Sequence, residues 1–136
     1  MTLPVIHPSH SQWTRERMPQ IENVAQFEHE LKSAGIEYSR SLISAKHLHA
    51  TQNEVNLALV FKLIKAGLDT AKYPVIVSSD NHILDGHNRW YAAQVLMIDV
   101  HVIRVNREIN SLLRFALALP EVKHSSVSDT HTHAHA

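Results

Sequence analysis

Residues Ile83-Leu84-Asp85-Gly86-His87-Asn88-Arg89-Trp90-Tyr91-Ala92-Ala93 place a carboxylate, an imidazole, an amide and a guanidinium on one strand-to-helix turn. An apolar strand ends in Asp85-Gly86, and a helix follows at once. Glycine at 86 lets backbone come close to a bound group, since no Cβ stands in the way. The first amides of a helix have no intrahelical partner and point out of its N-terminus, which makes a seat for phosphate or another anion. Arg89, one turn in, has a planar fork of donors for the same anion. Taken singly, each residue has a plainer reading: Asp85 as a helix cap and Arg89 as a surface charge.

Periodicity supplies the elements that must position this turn. A helix is expected from Pro19, with Ile21, Val24, Phe27, Leu31 and Ala34 on its apolar face and Gly35 as its stop. Residues 36–44 read as a strand. Thr51-Gln52-Asn53-Glu54 fits a capping box for a helix carrying Leu57, Val60, Phe61 and Ile64 and ending near Gly67. Glu54 is thus either a capping carboxylate or one projected into a cleft. Residues 74–78 form a short, nearly all-apolar strand, and Ser79-Asp80-Asn81 turns the chain into a second strand, 82–85. The motif helix comes next, with Tyr91, Val95 and Leu96 facing the core. A strand over 99–105 and a helix capped by Asn106 and stopped by Pro120 complete the order. Interleaved helices and strands with one tight hairpin exclude a wholly parallel sheet. The expected class is α+β, a small mixed β-sheet with packed helices. The expected core is Leu57, Phe61, Ile64, Val75, Val77, Ile83, Val95, Leu96, Val102 and Leu112.

The chain has 136 residues, 44% of them hydrophobic, which suits one core rather than two. Thirteen basic residues balance thirteen acidic ones, against a protein that coats nucleic acid by bulk electrostatics. Cysteine is absent, so disulfides, thiol nucleophiles and Cys-ligated metals are excluded. No apolar run reaches the ~20 residues of a membrane span, and the expectation is a soluble, cytoplasmic protein with no membrane partner. Residues 1–18, with Arg15 and Arg17, read as an arm, 19–120 as the domain, and 121–136 as a disordered His-rich tail. Alternating His131, His133 and His135 suit at most weak binding of a transition metal.

Residues 74–77 followed by Ile83 to Ala93 resemble the ParB N-terminal/sulfiredoxin superfamily. Gly86, Arg89 and Ala92 match the Gly-x-x-Arg-x-x-Ala core of the ParB phosphate motif, and Asp85-Gly86-His87-x-Arg89 resembles the Asp-Gly-His-His-Arg signature of the branch with the free serine kinases. Met18-Pro19-Gln20-Ile21 and Leu48-x-x-Thr51-Gln52-x-Glu54-Val55 are similar to stand-alone bacteriophage versions. The similarity covers about residues 18–119. It implies a ParB/sulfiredoxin-like fold whose turn binds the phosphates of CTP, ATP or ADP. It also implies Gly86, His87, Asn88 and Arg89 as nucleotide and phosphate ligands, Asp85 as a catalytic or Mg²⁺-orienting carboxylate, and Glu54 as general base. The pattern departs from its relatives in three places. The cysteine that sulfiredoxin needs is missing, which excludes that activity. Asn88 stands where ParB has the first of two adjacent arginines, and where the kinase-like signature has its second histidine. No DNA-reading region is expected after Pro120.

Three functions follow as expectations. The first is a phosphotransferase or NTPase that uses ATP or another nucleotide with Mg²⁺ and acts on a small-molecule or nucleotide acceptor. The others are a ParB-like DNA-binding or nuclease domain and a non-catalytic regulator. In the first, Arg89→Ala is expected to weaken nucleotide binding with little loss of stability.

Overall fold

A run with no polar face, Val75-Ile76-Val77, needs apolar cover on both sides, and the fold supplies it. The structure, a computed structural model, describes residues 2–4, 18–52, 54–120 and 122–124. In chain order the elements are β1 (Thr2–Pro4), β2 (Pro19–Gln20), α1 (Val24–Ser33), β3 (Tyr38–Ser44), a 3₁₀ turn (Ala45–His47), β4 (Glu54–Asn56), α2 (Leu57–Ala66), β5 (Val75–Val77), β6 (Ile83–Asp85), α3 (His87–Leu96), β7 (Asp99–Val105), α4 (Ile109–Ala118) and β8 (Lys123–His124). The central sheet has the order β3-β7-β5-β6. β5 and β7 run parallel, while β3–β7 and β5–β6 are antiparallel. This is the expected α+β class with a small mixed sheet and packed helices.

Period-two alternation divides the core between the two faces of the sheet. Ile76, Leu84, Ile103 and Val105 point to one face, where Phe27 and Leu31 of α1 and Ile109, Leu112, Leu113 and Ala116 of α4 cover them. Val75, Val77, Ile83, Val100 and Val102 point to the other, beneath Trp90 and Ala93 of α3 and Ala45 and Leu48 near the 3₁₀ turn. Trp90 Nε1 donates to the Ala45 carbonyl at 2.7 Å, so the indole locks α3 to that turn. α2 forms an outer layer: its Val60 meets Ala92 of α3 and Val55 of β4. Two short pairings, β1 with β4 and β2 with β8, tie Thr2–Pro4 and Lys123–His124 onto the domain.

Several boundaries differ from the sequence reading. Pro19 does not begin α1; it lies in β2, and Asn23 caps the helix by accepting from Gln26 N at 3.0 Å. Thr51 does not cap α2. Residues 54–56 are drawn into pairing with β1, so the helix starts at Leu57, and Asn56 caps it by accepting from Leu59 N at 3.2 Å. Asn106 gives way to Glu108, whose carboxylate accepts from the amides of Asn110 and Ser111. The domain boundary at 18/19 cuts through the core, since Met18 is 1% exposed. Thr2–Pro4, assigned to the arm, pairs with β4. Residues 5–17, with Arg15 and Arg17, and the tail histidines 131, 133 and 135 lie outside the described residues.

Of the expected core, Val75, Val77, Ile83, Val102 and Leu112 are buried. Leu57 and Ile64 are partly buried, but Phe61, Val95 and Leu96 are exposed. For Val95 and Leu96 the reason is the orientation of α3, which buries its first two turns and leaves its C-terminal end at the surface. No helix among the described residues is long and apolar enough to cross a membrane.

Candidate functional site

The turn between β6 and α3 is built around Gly86. Its φ of +108° lies in a region that L side chains rarely adopt. A Cβ there would stand 2.8 Å from Arg89 Nη2 and 3.2 Å from Val75 Cγ2. Glycine is therefore required, and what makes it necessary is the Arg89 side chain folded back beneath the turn. Arg89 Nη2 donates to the Pro74 carbonyl at 3.1 Å and pairs with Asp85 Oδ2 at 3.5 Å. Burial pulls the Arg89 guanidinium below its ordinary range, and the Asp85 carboxylate opposes that pull. With Arg89 2% and Asp85 5% exposed, the pair belongs to the interior. The expected outward fork is thus turned inward, beneath the turn.

His87 and Asn88, also buried, hold the segment leading to α2. His87 Nε2 accepts from Thr51 N at 3.0 Å and from Gln52 N at 3.3 Å. Two amide donors on Nε2 assign the ring proton to Nδ1. Burial, with the Arg89 charge nearby, pushes His87 down to about 3, so the ring is neutral at physiological pH. Thr51 Oγ1 donates to the Ile83 carbonyl at 2.6 Å, which ties the same segment to β6. Asn88 Oδ1 accepts from Asn56 N at 3.0 Å and so fixes β4 against the first turn of α3. Glu54 lies on β4, two residues before that contact.

In front of the α3 N-terminus is a cavity of about 10 Å³, lined by Met18, Gln20, Gln52, Asp85, Gly86, His87 and Asn88 among others. That is room for roughly one water molecule. The structure thus brings Asp85, Gly86, His87, Asn88 and Arg89 onto one turn, with β4 docked beside them. It closes the expected anion seat with the chain's own Met18–Gln20 and Gln52. Sequence reasoning from spacing missed Gln20, Thr51, Gln52 and Asn56 as contacts of the turn. Met18-Pro19-Gln20-Ile21 and the Thr51-Gln52 string, singled out only on resemblance, both lie against it.

Among the described residues, seven of the nine that are buried and polar or charged, Gln20, Thr51, Gln52, Asp85, His87, Asn88 and Arg89, belong to this cluster. α3 buries its polar N-terminal residues and exposes Val95 and Leu96, the reverse of an ordinary amphipathic helix. A fold that departs locally from apolar-in, polar-out does so most often where it has work to perform.

A protein-held magnesium ion does not fit this geometry. Magnesium wants carboxylate and phosphate oxygens in near-octahedral array, whereas Asp85 is paired with a buried guanidinium. No group of three or more metal-ligating side chains occurs among the described residues. Comparison with protein-family models, with curated proteins and with solved structures gives no match.

Proposed function

We propose that this domain binds a nucleotide through its phosphates at the N-terminus of α3. The observation that carries the reading is the concentration of buried polar side chains around Gly86, which stability alone does not favour. The amides of the first helical turn, which point out of the helix N-terminus, supply the donors. His87, neutral, and Asn88 keep the turn in register with Thr51, Gln52 and β4. Arg89 acts from beneath as a buried positive charge, offset in part by Asp85. The resemblance to the ParB/sulfiredoxin superfamily points to the same turn and the same ligand class.

The tiny cavity sets a condition on binding. A phosphate enters only when β2 lifts or Gln52 swings aside. β2 is held to β8 through two residue pairs, Pro19 with His124 and Gln20 with Lys123, and by the buried Met18 side chain. The free energy of opening lowers the apparent affinity by the fraction of molecules that are open.

On this reading the activity is phosphoryl transfer from ATP or another nucleotide to a small-molecule acceptor, or hydrolysis of the nucleotide. Positioning and charge neutralisation dominate such chemistry. Glu54, on the strand that Asn88 anchors, is the general base of the proposal. Any magnesium arrives as the counter-ion of the nucleotide.

Calorimetric titration of ATP, ADP, CTP and GTP, run beside turnover assays, tests the reading. Asp85→Asn separates the roles of the carboxylate. A structural partner of Arg89 leaves turnover intact in the molecules that stay folded, whereas a catalytic group loses turnover while nucleotide still binds. Absence of binding by all four nucleotides would remove the proposal.

A further inference from the structure

The central sheet has two outer edges, and the described chain covers only one of them. β6 is flanked by residues 49–51: His49 N donates to the Asn81 carbonyl at 2.8 Å and Ile83 N to the His49 carbonyl at 2.9 Å. β3, at the other edge, pairs with β7 on its inner side and with no described strand on its outer side. It has none of the usual guards of a free edge. Proline and lysine are absent from it, and its register with β7 is unbroken from Tyr38 to Ser44. Its one charge is already matched: Arg40 Nε donates to Glu28 Oε2 at 3.1 Å and Nη2 to Oε1 at 2.7 Å. Leu42, on the same face, is 56% exposed.

Alternation fixes the faces of β3. Tyr38 packs with the core under α1 and α4, and Ile43 with the core under α3. Arg40 and Leu42 therefore share the Tyr38 face, and Glu37, Ser39 and Ser41 the Ile43 face. Glu37 continues the ladder, since its carbonyl accepts from Asn106 N at 2.8 Å.

We propose that β3 pairs antiparallel with β3 of a second copy of this chain, across a two-fold axis at Ser41. An axis at Arg40 would set two guanidinium groups opposite each other, and an axis at Leu42 would leave Tyr38 and Ser39 unpaired. The axis at Ser41 uses the whole strand and puts a small side chain where the two copies meet. Leu42 then lies opposite the apolar stem of the partner's Arg40, with the partner's Tyr38 and the partner's Leu42 as diagonal neighbours within reach. Past the strand end, the partner's Glu37 comes alongside Ala45 and Lys46, on the face where Lys46 lines a cavity with Ala93 and Gln94 of α3. Glu37 and Lys46 are both exposed and make no ion pair within the described chain. The two-fold repeats this match of opposite charges, so the surface is complementary to itself, and a closed axis stops association at two copies. The dimer does not rest on the phosphate reading, because β6 and its turn lie at the opposite edge of the sheet.

Sedimentation equilibrium of the full chain is expected to show a monomer–dimer equilibrium with a dissociation constant on the order of 10–100 µM, as suits a small interface. Leu42→Lys sets a cation opposite the partner's Arg40 and is expected to weaken the dimer at least roughly tenfold, with the melting temperature of dilute protein unchanged. Lys46→Glu and Glu37→Lys are each expected to weaken it, and an equimolar mixture of the two to restore it, because every pair across the axis is then of opposite sign. The chain has no cysteine, so an added one reads the register. Under mild oxidation Ser41→Cys is expected to cross-link, since opposed Cα atoms lie ~4.5–5.5 Å apart. Ser39→Cys is not, its two copies being about 13 Å apart along the strands. A chain that stays monomeric at about 1 mM, a dimer indifferent to Leu42→Lys, or cross-linking of Ser39→Cys as fast as that of Ser41→Cys would overturn the proposal.

Discussion

At the scale of single residues, the motif is a set of mutual constraints. Gly86 has no Cβ because the Arg89 guanidinium fills the space where one would stand. Gly86→Ala combines that clash with an unfavourable φ and is expected to cost about 1–3 kcal/mol in denaturant unfolding. Arg89→Ala leaves Asp85 buried without its cation, a loss on the order of 3–5 kcal/mol. This corrects the expectation that the substitution would spare the fold, so any affinity it removes must be measured on molecules shown to be folded. His87 gives a pH signature. In the unfolded chain an ordinary histidine takes up a proton near 6.5, whereas His87 in the native state does so only at about 3. Between those values the unfolded state holds more protons. Stability associated with His87 is therefore full above about pH 6.5 and is lost as the pH falls toward 3, at up to ~1.4 kcal/mol per unit. His87→Gln, which keeps an acceptor but cannot titrate, is expected to flatten the slope between pH 7 and 5 by up to one proton's worth. An unchanged slope would mean that His87 is not the titrating group.

At the scale of elements, regular patterns were legible and competition between local partners was not. β7 spans residues 99–105 as its alternation requires, and the hairpin of β5 and β6 follows from an apolar run, polar turn residues and a second apolar run. Asn81, in the left-handed conformation at φ 67°, closes that turn. The start of α2 was misread because two sets of side chains compete for it. Thr51 has the chemistry of a cap, but its hydroxyl is engaged by the Ile83 carbonyl, so capping passes to Asn56. Asn56→Ala is expected to cost about 0.5–2 kcal/mol through loss of the cap. Thr51→Val keeps the shape but leaves the Ile83 carbonyl unmatched, at about 1–3 kcal/mol. Thermal melts of the two variants distinguish a shared role from separate ones: a capping box would make their effects strongly non-additive, whereas separate roles make them nearly additive. α3 was located correctly, yet its buried face was not. Apolar Val95 and Leu96 suggested a core-facing end, but the helix is anchored by its polar first turn, an inversion that periodicity does not encode. Of the site, Asp85 to Arg89 could be read from their contiguity. Gln20, Thr51, Gln52 and Asn56 could not, because they reach the turn only through tertiary packing.

At the scale of the whole molecule, two segments distant in sequence meet in front of the α3 N-terminus, Met18–Gln20 from one end and Gln52 from the middle. β2, which carries Pro19 and Gln20, is in turn held by β8 near the far end of the described chain, so closure of the seat depends on segments far apart in sequence. Charge is balanced overall, 13 basic against 13 acidic residues, which leaves little for the backbone of DNA to grip. Duplex DNA is therefore expected to bind weakly and to be released steeply by salt. Sequence-selective binding that persists at high salt, read by fluorescence anisotropy, would favour a DNA-directed function instead. The most direct test of the phosphate seat is an NMR titration of the ¹⁵N-labelled chain with ATP. The expected result is saturable shifts of the Gly86, His87 and Asn88 amides, accompanied by Gln20 and Gln52 as the strap gives way. Saturation that leaves those five amides in place, or no saturation at all, would contradict a phosphate seat at α3.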